Sequence, residues 1–199
     1  MTEKKPSKQH SVGRPRSESS KIAILNATID LLDKSGYSTL TIEAIAAHAG
    51  VGKATIYRWW ANKSFLVFDA FLMSTETHMY FLEKTSIREN FRQQLHTLAN
   101  VLNGTLGRTM IALVAESGED SELAKAFYTN YLNPRREDAK MILERAIAQG
   151  EIQSTINIDV ASDMLYGPIY FRILIYKKKV DAAFIDTLVD QVMKGIDAP

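Results

Sequence analysis

The 199-residue chain has no cysteine, which excludes disulfides, thiolate nucleophiles and thiolate metal sites together and makes a reducing cytoplasm the natural setting. Hydrophobic residues make up 46%, enough for a full core. No apolar run approaches the roughly 20 residues of a membrane span, and the first residues are polar rather than a secretory signal, so a soluble protein with no membrane partner is expected.

The net charge of +1 divides unevenly. Residues 1–64 hold ten Lys or Arg against five Asp or Glu, and the remainder fourteen against eighteen, as a polyanion-binding front and a back with another task would. Residues 1–17, MTEKKPSKQHSVGRPRS, lack large apolar side chains and read as a flexible basic tail. Within it Arg14 and Arg16 flank a proline, an extended shape suited to a narrow minor groove; a solvated tail has the same composition. A first helix follows over residues 18–34, with Ile22, Leu25, Ile29 and Leu32 at helical spacing and Gly36 as its stop. Thr39 to Thr41 offer an N-cap for the next helix.

The stretch TIEAIAAHAGVGKATIYRWWANK, residues 41–63, has the spacing of two short helices crossing closely. Ala46 is small enough to let a second helix approach, Gly50 supplies a positive φ for the turn, and Ile56 fills the wedge. Ile42, Ile45 and Ala49, then Val51, Ile56 and Trp59, continue the buried stripes. An αα-hairpin that never meets nucleic acid would need the same triplet. The other face separates the two readings: Lys53, Thr55, Tyr57 and Arg58, then Lys63, with no carboxylate in residues 44–68 to neutralise them.

Asn62 caps a long helix running to Lys84, apolar on more than one side and so placed to bridge two packed bodies. Helices are predicted over 87–103, 106–117, 121–149, 160–177 and 181–195, with Gly150 as a stop, Asp159 and Asp181 as N-caps, and Pro134 as a bend in mid-helix. The predicted fold is all-α. The helix 160–177 is apolar nearly all round and the last helix carries a one-sided stripe, so a symmetric partner is expected to cover Leu165, Pro168, Phe171, Ile185, Leu188, Val189 and Val192; a buried central helix of a monomer is the alternative. Met110, Phe127, Tyr128, Tyr131, Met164, Tyr170 and Phe171 are candidates to line a cavity for a small apolar or aromatic ligand, although such residues also build ordinary core.

Catalytic motifs are missing. Histidines 10, 48, 78 and 96 are too far apart for a metal pair on one helix, and Gly52-Lys53 lacks the other elements of a P-loop. There is no dinucleotide fingerprint or nucleophile elbow, and Glu116, Glu119 and Asp120 fall at a helix end where solvation explains them. Neither enzyme activity, metal nor cofactor is expected.

With Gly36-Tyr37 ending the first helix and TLTIEAIAAHAGVGKATIYRWWANKSFL following, residues 18–78 resemble the TetR family of bacterial transcriptional regulators. ERAIAQGEI and INIDVASDMLYGPIYFRILI resemble one type of that family's C-terminal domain, though more softly. The resemblance implies a three-helix helix-turn-helix domain over 18–78 and a ligand-binding and dimerisation domain over 79–199. It further implies a homodimer on a double-stranded, (pseudo)palindromic operator, acting as a repressor released by a small molecule. Carried over by position, Thr41, Lys53, Thr55, Tyr57, Arg58 and Lys63 contact DNA, with Tyr57 and Lys63 on phosphates and Lys53, Ala54 and Arg58 on base edges. Two departures stand out: Gly52 occupies a position often held by a capping serine, and the pair Trp59-Trp60 replaces a more usual His and Phe. Trp60 is expected in the core and Trp59 as a wedge with an edge toward the DNA backbone.

Overall fold

The computed structural model describes residues 15–75, 86–118 and 120–196. Expectations about Arg14, His10, His78, Glu119, the bridging helix beyond Thr75 and the boundary at 78/79 fall outside the described residues. The described residues form helices and turns with no sheet, in agreement with the all-α expectation.

The front unit contains α1 (Pro15–Ser35), α2 (Ile42–Ala49), α3 (Lys53–Tyr57) and α4 (Lys63–Thr75). α1 begins inside the stretch expected to be tail, so 15–17 are helical. Its core side is Ile24, Leu25, Thr28 and Leu32; Ile22, expected in that stripe, is exposed instead. The Thr28 hydroxyl is buried at no cost because it donates to the Ile24 carbonyl at 2.8 Å. Thr41 caps α2, its Oγ1 accepting from the Ala44 N–H at 3.1 Å, and Gly50 ends the helix at φ +65°. Only glycine adopts that backbone without strain, and it turns Val51 N–H back onto the Ala46 carbonyl at 3.0 Å. α3 therefore crosses α2 over the small Ala46 side chain, with Ile56 fully buried between them. Trp60 is core as expected, and its Nε1–H donates to Asp69 Oδ2 of α4 at 2.9 Å. Trp59 departs from the expected stripe: it is 39% exposed.

The back body contains α5 (Ile87–Asn103), α6 (Thr105–Glu116), α7 (Glu122–Phe127), a π-turn (Tyr128–Leu132), α8 (Asn133–Ala148), α9 (Ile158–Leu174) and α10 (Ala182–Ile196). α5 and α6 meet at a bend of 83°. The bend brings backbones so close that a Cβ on Gly107 would lie 2.2 Å from the Val101 carbonyl oxygen, which excludes any side chain there. α10 packs along α5, with Arg88, Arg92 and His96 facing Asp186 and Asp190. These half-exposed pairs set register more than they stabilise. Asn103 clamps the start of the last segment from both sides, donating to the Val180 carbonyl at 2.7 Å and accepting from its N–H at 2.9 Å. Asp181 caps α10 as expected, whereas α9 is capped by Asn157, which accepts from Val160 N–H, and not by Asp159.

The helix expected over 121–149 is interrupted by the π-turn. Pro134 cannot donate to a carbonyl four residues back and its ring would strike that carbonyl. The chain opens by one residue before it, the Asn133 N–H reaching the Tyr128 carbonyl, and Pro134 then sits harmlessly in the first turn of α8. The Tyr131 carbonyl accepts a side-chain hydrogen bond from Arg135 Nη1 at 2.8 Å.

The expected partner-covered set on α9 and α10 is corrected at four positions. Leu165, Ile185, Val189 and Val192 are buried in their own subunit, so they are not available to a partner. An amphipathic helix buries its strongest stripe against its own core first. What remains uncovered on α9 is Val160, Met164, Phe171 and Ile175, a single face at helical spacing, with Pro168 beside it and Phe184 and Leu188 half-buried on α10.

Candidate nucleic-acid interface and effector cavity

α3 is only five residues long and cannot hold itself as a helix; Ile56 and the α2 contact hold it. Its outer side presents Lys53, Ala54, Tyr57 and Arg58 to solvent, with Thr55 half-buried. The Lys53 ammonium meets Glu43 Oε1 of α2 at 3.0 Å, and this carboxylate holds the lysine's pKa above its ordinary value. Both groups are open to water, so the lysine can exchange Glu43 for another acceptor. Arg58 lies 6.0 Å from the Trp59 ring centre and Lys21 of α1 lies 5.6 Å from it. The exposed indole thus gathers two cations beside the recognition helix. Neither Trp59 nor Lys21 was expected to share a site; the contact joins α1 to α3 and has no local sequence signal.

Thr41 stands at the N-terminus of α2, where unpaired backbone N–H groups favour an anion. Its hydroxyl accepts from Ala44 N–H and retains its own proton for a further acceptor. Lys63 is placed differently from the expectation of a phosphate contact. Its ammonium donates to the Tyr37 carbonyl at 3.0 Å and the Leu40 carbonyl at 2.8 Å and stands 4.1 Å over the Tyr37 ring. Two of its three protons therefore tie α4 to the loop after α1, where Tyr37 also bonds Ser64 at 3.0 Å. His48 faces Asp30 at 3.4 Å on the surface between α2 and α1. Arg16 belongs to the first turn of α1.

Between α5, α8 and α9 lies a cavity of about 210 Å³. Leu98, Leu132 and Gly167 give it apolar lining, and Arg135, Arg136, Asp163, Tyr166 and Tyr170 give it polar lining. Of the seven predicted ligand residues, Tyr170 alone lines it. Phe127, Tyr131 and Met110 are buried core, while Tyr128, Met164 and Phe171 are about half exposed and point to other surroundings. Tyr166, missed in the sequence, is one helical turn from Tyr170, a spacing that identifies it once Tyr170 is chosen. Arg135 and Leu98 come from distant helices and carry no such signal.

Between α4 and this cavity runs an aromatic cluster. Phe68 and Phe71 of α4 stand 6.2 and 6.1 Å from Phe127, and Phe71 stands 4.7 Å from Tyr131. Arg135, which lines the cavity, covers the Tyr131 ring at 3.8 Å. Burial pushes the Tyr131 phenol up to about 12 and the phenols of Tyr166 and Tyr170 well above their ordinary value, so all three stay protonated. Among the described residues no group of three His, Cys, Asp or Glu side chains has metal-binding geometry, and no single helix is long and apolar enough to cross a membrane.

Residues 24–70 match the family described as bacterial regulatory proteins, tetR family, and residues 83–192 match the tetracyclin repressor-like C-terminal domain. The chain is 36% identical over 186 residues to the HTH-type transcriptional regulator YdeS of Bacillus subtilis, covering 94% of each. It is 24% identical over 187 residues to the DNA-binding transcriptional repressor TetR of Mycobacteroides abscessus, covering 92% of this chain and 97% of that one. Its fold is similar to the crystal structure of the TetR family transcription regulator SCO0332, with a TM-score of 0.72, 31% identity, and 89% and 98% of the two chains covered.

Proposed function

The chain belongs to the TetR family of bacterial regulatory proteins, DNA-binding regulators of transcription, and from that premise we propose that it is a cytoplasmic homodimeric repressor released from its operator by a small molecule. The observation that carries the DNA side is the exposed face of α3, held rigidly by Ile56 and free of carboxylates apart from the exchangeable Glu43. In this reading Lys53, Ala54 and Arg58 read base edges, Thr55 and Tyr57 hold phosphates, and the α2 N-terminus with Thr41 holds another. Arg14 and Arg16 follow the adjacent minor groove. Lys63 acts at one remove, by fixing the angle between α4 and α1, with one proton left for a phosphate.

The partner is a second copy seated on the uncovered face of α9, Val160, Met164, Pro168, Phe171 and Ile175, with Phe184 and Leu188 of α10. A two-fold dimer seats both recognition helices only when they lie about 34 Å apart, one turn of DNA, which calls for a (pseudo)palindromic operator. The DNA-reading unit over 18–78 and the body over 79–199 are joined through α4, and the aromatic cluster connects α4 to the cavity wall. A ligand in the cavity displaces Tyr131 and Leu132 at the π-turn, tilts α4 and changes that spacing.

Footprinting on the DNA flanking the protein's own gene tests the DNA side; equal protection of scrambled DNA at moderate salt would contradict it. Linkage tests the release mechanism: an effector that weakens operator binding must itself bind more weakly, by the same factor, to the operator complex. Identical effector affinities with and without operator in calorimetry exclude the mechanism.

A further inference from the structure

The cavity's polar groups are uneven in kind. Tyr166 donates to Gln94 Oε1 at 2.5 Å, whereas the Tyr131 hydroxyl is fully buried and has no hydrogen-bond partner. Tyr131 stands outside the lining, its ring 3.8 Å from the Arg135 guanidinium, while Arg135, Tyr166 and Tyr170 line the cavity itself. Arginine can only donate, and phenols kept neutral by burial still offer their protons. The lining carboxylate, Asp163, is bonded to Arg136 together with Asp159, so at the rim two negative charges are shared with one guanidinium. Asp138 is the further carboxylate within reach of these phenols, acting on Tyr166 from outside the lining.

Taking the cavity as the effector site, we propose that it selects a small apolar molecule bearing a carboxylate or comparable acceptor-only head, held by the lining residues Arg135 and Tyr170. The volume of about 210 Å³ limits the body to little more than one substituted ring, since a cavity of about 150 Å³ is filled by benzene. An ammonium head would face Arg135 at close range, and a neutral alcohol would forgo its charge-assisted hydrogen bonds.

The test uses three probes that share one body and differ in the head: 3-phenylpropanoate, 3-phenylpropan-1-ol and 3-phenylpropylamine, each titrated into the full-length protein by calorimetry at neutral pH. The acid is expected to bind at least tenfold more tightly than the alcohol, and the amine more weakly than both. Arg135→Gln should erase the acid's advantage over the alcohol, and Arg135→Lys should keep part of it; the lysine variant serves if the glutamine variant folds poorly. Tyr170→Phe should weaken the acid several-fold and the alcohol less, because it removes a lining hydroxyl, whereas Tyr131→Phe, outside the lining, should leave the acid's advantage unchanged. The proposal is overturned if the alcohol or the amine equals the acid, if none of the three binds at millimolar concentration, or if Tyr170→Phe leaves acid binding unchanged. Operator binding by the same preparations is read separately. Retained operator binding with no preference for the acid removes the ligand class alone, whereas an acid that binds without releasing operator removes the effector reading and leaves the class.

Discussion

In the DNA-reading unit Lys53, Tyr57 and Arg58 stand in water on a five-residue helix, each free to exchange partners, while in the back body Tyr131, Tyr166 and Tyr170 are enclosed and one hydroxyl is left unpaired. The first region keeps its polar groups solvated and open to a new partner; the second has already borne the cost of their burial. Surface chemistry suits a polymer read along its length, and enclosed chemistry suits a small molecule that must be surrounded. The same contrast separates α3 from α9, which leaves apolar rather than cationic groups uncovered and so calls for another protein surface.

The largest effect expected from this contrast lies on α9, where neighbouring residues have opposite fates. Leu165→Glu places a charge in the subunit's core and should cost more than about 4 kcal/mol, abolishing the folded state. Phe171→Glu, on the uncovered face, should leave helicity and melting of the subunit intact and yield monomers in sedimentation. A dimeric Phe171→Glu protein that still binds operator would show that the partner sits elsewhere. Next in size is Gly107→Ala, where the new methyl meets the Val101 carbonyl; it should lower stability by about 2–3 kcal/mol in denaturant unfolding, and a neutral result would mean that the α5–α6 bend relaxes easily.

Within the front unit, Lys63→Ala and Arg58→Ala should part company. Arg58→Ala is expected to cost about 1–3 kcal/mol at the cognate base pair and to relax preference there, with unchanged thermal stability. Lys63→Ala removes the donor from two carbonyls and should lower the melting temperature first, weakening all DNA sequences alike. An unaltered melting temperature with a flattened salt slope would return Lys63 to a direct phosphate role.

The smallest expected effect appears only well above physiological pH. The Tyr131 phenol is raised from 10.0 to about 12, with Tyr166 and Tyr170 raised as well, so the folded state holds these protons after the unfolded chain has released them. Their contribution is complete below pH 10 and is lost as pH climbs through 10 toward 12. Ultraviolet titration of the eight tyrosines should show these three ionising only with unfolding. Smooth titration of all of them in the native protein would mean that the cavity is open to water.

The helix-turn-helix was legible because its determinants are local: Thr41 as cap, Ala46, Gly50 and Ile56 as the crossing, and the cationic face of α3 all lie within 23 residues and follow backbone geometry. Most helix ends in the back body were legible for the same reason, but the break of the expected helix 121–149 into α7, the π-turn and α8 was not. The roles of Lys63 and Trp59 were not, since each depends on contact with α1 or the loop after it. Hydrophobic periodicity showed that α9 and α10 have apolar faces, but it assigned Leu165, Ile185, Val189 and Val192 to a partner when their own core takes them. Periodicity reports that a face must be covered and is silent on what covers it. The cavity likewise combines residues from α5, α8, α9 and the π-turn, and whether an aromatic side chain fills a core or lines a space depends on volumes contributed by all of them. Local backbone preference was therefore decided by the chain's own residues in order, while exposure, pairing and empty volume were decided only by packing between segments far apart in the sequence.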